Sequence, residues 1–150
     1  RFHLLATLAT ALFLTGCATS RPTMSYVEPS VTATDSITLS REAVAYLADA
    51  LPPARTTLVL DPPAAKDQDH LTAALVPALR ARGYGVTVAD PKTGHPAGQG
   101  IALRYLASPL DGGVLMRLQY QGTEASRYYP RGTNGLLLPG APFTVRGGQQ

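Results

Sequence analysis

Hydrophobic and polar positions divide the chain into an apolar head, an aperiodic polar stretch and a long periodic region. Leu4 to Leu14, "LLATLATALFL", is uncharged, with two threonines as its only polar residues. Ala18 to Ile37 is rich in Ser, Thr and Pro and follows no period, as a linker would. Order is predicted from Ser40, which can cap a helix with Glu42 in the first turn. Val44, Leu47, Ala48 and Leu51 then recur at i, i+3, i+4 and i+7, and Pro52-Pro53 ends the helix. "TTLVLD", Thr56 to Asp61, is a short β-branched and apolar run and predicts a buried strand.

A second helix is predicted after Asp67 or Asp69, either of which can cap it. Its stripe is Leu71, Ala74, Leu75, Ala78 and Leu79. Pro77 predicts a kink or early break, and Gly83 suits the left-handed position after the last turn. From Tyr84 the period changes to two. Tyr84, Val86 and Val88 alternate in one strand, Ile101, Leu103 and Tyr105 in the next, and Val114, Met116, Leu118 and Tyr120 in a third. "SPLDGG", Ser108 to Gly113, predicts a hairpin turn, and "ASRYY", Ala125 to Tyr129, a further strand. The fold class is therefore α+β: two helices packed on one face of a largely antiparallel sheet, in the order helix, strand, helix, strand meander. In the Gly- and Pro-rich end of the chain, Leu136 to Leu138 and Phe143 to Val145 can add only short edge strands.

The apolar head is eleven residues long. A spanning helix needs about 20 apolar residues, whereas the core of a secretory signal needs about 7–15. It ends at Leu14-Thr15-Gly16-Cys17, with the chain's one cysteine, so no internal disulfide is possible. These four residues resemble the lipobox of bacterial lipoproteins. The resemblance implies that residues 1–16 are a signal peptide and that Cys17 is the lipidation site. Ala18 after the cysteine implies outer-membrane rather than inner-membrane placement. Residues 17–38 then form the acylated cysteine and a flexible tether, 39–131 an α+β periplasmic domain, and 132–150 a Gly/Pro-rich tail. Loss of Arg1 with the signal lowers the formal charge from +3 to +2. So weak a charge does not mark a nucleic-acid binder.

No motif carries catalytic chemistry. No G-x-S-x-G turn is present, and no paired-glycine phosphate loop follows a strand. "KDQDH", Lys66 to His70, is better read as helix capping than as a metal cluster, and His95 lies in a different context. No enzyme, cofactor or metal site is expected. One exposed surface is. If Ile101, Leu103 and Tyr105 point inward, Arg104 points outward, and Arg117 does so between Met116 and Leu118. Placing Ser126 and Tyr128 in the core turns Arg127 outward too. The three arginines, with Ala102, Leu106 and Leu115, would then form an interaction face for an acidic protein or an anionic wall polymer.

Several stretches resemble the TrbH family of conjugal-transfer lipoproteins of plasmid type IV secretion systems. They are Pro52-Pro53-Ala54-Arg55-Thr56, Ala78 to Tyr84, Leu103-Arg104-Tyr105 and "LMRLQYQGTEASRYY", Leu115 to Tyr129. Together they span roughly residues 40–130, and the tail does not share the likeness. The resemblance implies a structural or interaction component of the mating-pair-formation channel, anchored in the outer membrane by lipid and facing the periplasm. Its partners would be other channel subunits, with no direct contact to nucleic acid. The alternative is a lipoprotein that binds peptidoglycan or activates a wall enzyme.

Overall fold

The computed structural model describes residues 25–64, 68–90 and 99–148. In chain order they form β1 (Tyr26–Val27), α1 (Ala33–Ala50), a short 3-10 turn (Pro53–Arg55), β2 (Thr57–Leu60), α2 (His70–Arg82), β3 (Gly85–Val88), β4 (Ile101–Leu110), β5 (Gly113–Tyr120), β6 (Thr123–Tyr129) and β7 (Thr144–Gly147). The class is α+β, with both helices over one sheet.

That sheet is mixed, not largely antiparallel. Its strand order is β3-β2-β4-β5-β6-β7, and β1 also pairs with β4. β2 runs parallel to both β3 and β4, while β4 through β7 form an antiparallel meander. The expected meander from Tyr84 is therefore interrupted, because β2 sits between β3 and β4. The physical reason is α2, which supplies the crossover that a parallel β2–β3 pair requires. The antiparallel half follows local turn chemistry instead. Leu110 pairs with Gly113 and Tyr120 with Thr123, leaving two-residue loops. Asp111, Gly112, Gln121 and Gly122 all have positive φ, the I′ pattern that matches strand twist.

α1 begins seven positions before the expected Ser40 cap. Thr32 is the cap: its side chain accepts from the Asp35 backbone N–H, and Asp35 accepts from that of Thr32, both at 3.1 Å. The first inward positions are polar, Asp35, Ser36 and Ser40, which hid the stripe in the sequence. Both serine hydroxyls are satisfied locally, Ser36 on Thr32 O and Ser40 on Ile37 O. Thus much of the stretch expected to be a tether is ordered from Ser25 onward, while residues 17–24 lie outside the described residues.

β1 adjoins the end of β2 along one edge of β4. Ser25 makes the splice: its N–H and hydroxyl donate to Asp61 O, at 3.1 and 2.5 Å, and its Oγ accepts from Tyr105 N at 2.9 Å. α2 runs uninterrupted through Pro77 to Arg82, because Pro77 lies on its exposed side. Asp69 caps its start at Thr72 N, 2.9 Å; Asp67 lies outside the described residues. At its end Gly83 is left-handed, with φ +105°. Gly83 N bonds Arg80 O and Tyr84 N bonds Leu79 O, closing the last turn.

The core lies between helices and sheet. Leu39, Ala43 and Leu47 of α1 and Leu71, Leu75 and Leu79 of α2 meet Leu58, Leu60, Leu103, Tyr105, Met116, Leu118 and Tyr129. Each fully buried leucine contributes about 1.5–3 kcal/mol relative to an exposed one. Three of the polar tips inside this layer are paired, while the buried Tyr129 hydroxyl has no hydrogen-bond partner among the described residues. Tyr105 OH meets Thr72 Oγ1 at 2.5 Å, Tyr84 OH donates to Leu51 O at 2.7 Å, and the Tyr46 and Tyr120 hydroxyls lie 2.8 Å apart. Burial pushes the Tyr105 phenol well above its ordinary range. The tail is part of the fold as well: Leu137 bridges Arg131, and β7 pairs with β6.

Candidate interaction surface

Helices cover one face of the sheet, and among the described residues the other face is open. Its polar rows follow directly from strand register. One row reads Arg104, Gln119, Glu124, Arg146, and the next reads Tyr26, Leu106, Arg117, Ser126, Thr144. Arg104 and Arg117 are thus on one face, as period two required, with Ala102, Leu106 and Leu115 beside them. Each has a carboxylate of its own: Arg104 Nε lies 3.4 Å from Asp61 Oδ2, and Arg117 Nε 3.4 Å from Glu124 Oε1. Gln119 Nε2 also donates to Glu124 at 3.0 Å. A cavity of about 350 Å³ opens on this face between Arg104, Gln119 and Glu124. Arg104 and Arg117 thus each sit beside an opposite charge from a neighbouring segment, which suits sheet stability.

Arg127 does not join them. It pairs with Met116, so it lies on the helix-covered face with Ala125 and Tyr129, while Ser126 and Tyr128 face outward. Its Nη1 lies 3.2 Å from Glu42 Oε2 of α1, and its guanidinium sits over the rings of Tyr129 and Phe143, at 5.2 and 5.5 Å. The three-arginine face is therefore incorrect. In "ASRYY" the adjacent tyrosines give no phase, and hydropathy alone assigned the arginine to solvent. An arginine can occupy a core-side edge when its stem packs and its charge finds both a ring and a carboxylate. The missed signal was the two-residue turn at Gln121-Gly122, which sets Tyr120 opposite Thr123 and hence Met116 opposite Arg127.

A second linkage escaped the sequence altogether. Arg131 binds Asp35 with two nitrogens, Nη1 to Oδ1 at 2.8 Å and Nη2 to Oδ2 at 3.1 Å, and also donates to Gly135 O. The Asp35 side chain is 1% exposed. Burial raises its pKa, but hydrogen bonds from Arg131 and Thr32 outweigh burial and hold the carboxyl below its ordinary value. One carboxylate thereby caps α1 and pins the loop after β6. The Thr-x-x-Asp spacing at Thr32 was the available clue.

Among the described residues, no three His, Cys, Asp or Glu side chains gather as a metal site would require. His70 opens α2 and is exposed, while Lys66, Asp67, His95 and Cys17 lie outside the described residues. No helix of the described residues is long and apolar enough to cross a membrane. What the open face offers is hydrogen-bonding and charge chemistry suited to contact.

Comparison with known proteins adds the identity. The family model described as "Conjugal transfer protein TrbH" matches residues 18–148, which takes in the tail as well as the stretch 40–130. No curated protein and no solved structure matches the chain. On a match of this extent, the chain belongs to the TrbH family of conjugal transfer proteins.

Proposed function

We propose that this TrbH protein is a periplasm-facing lipoprotein of the outer membrane and a structural and interaction component of a conjugative type IV secretion channel. The observation that carries the reading is the family match, which starts at residue 18, directly after Cys17 of the lipobox-like Leu14-Thr15-Gly16-Cys17. In this reading Cys17 carries the acyl chains, each buried methylene contributing about 0.8 kcal/mol to anchoring. The fold sharpens it. The chain is fixed from Ser25, where β1 joins the sheet. At about 3.3–3.6 Å per residue, Cys17 and Ser25 can stand no more than roughly 30 Å apart. The domain is then held close over the bilayer, not at the end of a long tether.

The test is metabolic labelling with palmitate in donor cells, combined with membrane fractionation and plasmid transfer. Cys17→Ser should lose the label, accumulate a longer precursor, leave the outer-membrane fraction and lower transfer. Label retained by the mutant would remove the lipid anchor. Undiminished transfer by a strain lacking the protein would remove the channel role.

A further inference from the structure

The helix layer has a feature that neither conjugal transfer nor lipid anchoring accounts for. Between α1 and α2 lies an apolar groove of about 630 Å³. α2 turns Leu71, Leu75 and Leu79 into the core and presents Ala74, Ala78 and Ala81 toward α1. These small side chains leave the recess. α1 supplies the other wall with Ile37, Arg41 and Val44, at i, i+4 and i+7. Ile37 is 62% exposed, an unusual position for a large aliphatic side chain. At 1.5 Å per residue the groove runs about two helical turns, roughly 10–12 Å. That length accepts the i, i+3/i+4, i+7 anchors of an amphipathic helix.

Charge selects the occupant. Among the described residues, the ionisable groups lining the groove are Arg41 and Arg82, and no carboxylate lines it. Glu42 lies 3.3 Å from Arg41 but is drawn toward the sheet by Arg127 at 3.2 Å. A second copy docked two-fold on this groove would bring four arginines together, which like-charge repulsion disfavours. We infer that the groove receives an amphipathic helix of another protein, with apolar anchors flanked by aspartate or glutamate. This does not depend on the lipid anchor.

The test uses the purified full chain and a fluorescent helical peptide bearing leucines at i, i+4 and i+7 with glutamates on both flanks. A control peptide carries lysines in place of the glutamates. Fluorescence anisotropy should show binding of the acidic peptide and at least about tenfold weaker binding of the basic one. Ala78→Trp, which fills the groove, should abolish binding. Arg41→Glu with Arg82→Glu should reverse the preference. Ile37→Asp, at an exposed site, serves as a second variant with the fold checked by thermal melting. Equal binding of both peptides, or undiminished binding to Ala78→Trp, would overturn the inference. So would a dimer in sedimentation velocity that Ala78→Trp dissolves, since the occupant would then be a second copy.

Discussion

Two pairs of arginines in this protein have the same chemistry and opposite consequences. On the open face, Arg104 and Arg117 meet Asp61, just past the end of β2, and Glu124 of β6, in segments already joined to theirs by backbone hydrogen bonds. Under α1, Arg127 and Arg131 reach Glu42 and Asp35, so each ties the end of the chain to the first helix. Arg117–Glu124 is the exposed extreme, at 39% and 32%, whereas the carboxylates of Asp61 and Asp35 are 10% and 1% exposed. An exposed pair is screened by water and adds little. A pair that desolvates one partner and bridges two layers makes its loss costly, because a buried charge is left behind. Arginine placement alone therefore says little about function until the face is known.

This contrast can be broken experimentally, and Asp35→Ala is the strongest attempt. It removes a helix cap and strands Arg131, so urea unfolding should show a loss of roughly 2–4 kcal/mol, discounted for the partly exposed arginine. A loss below that of the open-face variants would erase the distinction between the two faces. The next variant asks whether backbone geometry matters as much as these ion pairs. Gly83→Val forces a β-branched residue into the left-handed end of α2 and should cost about 1–2 kcal/mol, read as a lower melting temperature. Arg127→Ala should cost about 1 kcal/mol, through its ring contacts and its largely covered pair with Glu42. Arg117→Gln on the open face should change stability by no more than about 0.5 kcal/mol.

Acid sharpens the same comparison. Asp35 ionises more readily folded than unfolded, since its hydrogen bonds outweigh burial. Its contribution is then fully present above the unfolded carboxylate value, about 4, and is lost as pH falls through the lower folded value. Unfolding midpoints measured from neutral pH down into this acid range should fall steeply for the native chain and more gently for Asp35→Asn.

Much of this architecture was legible in the sequence because it depends on neighbours. The helix end at Gly83, the Asp69 cap, and the alternation in β4 and β5 are local matters of φ, hydrogen bonding and period. The inward set Leu103, Tyr105, Met116 and Leu118 followed from period two, and with it the shared face of Arg104 and Arg117. Other features were settled only by contacts between distant segments. The first turns of α1 are polar on their inward side, because Asp35 meets Arg131 and the serines bond their own helix. β1 has two residues, Tyr26 and Val27, too few to show a period; it exists because β4 has a free edge beyond β2. β2 entered between β3 and β4 because α2 returns the chain parallel, which no hydropathy pattern states. Arg127 took the covered face because the Gln121-Gly122 turn set the register and Glu42 with two aromatic rings accepted the charge. Sequence by itself determines what a segment can become; pairing decides which face it presents, since one residue of register exchanges inside for outside.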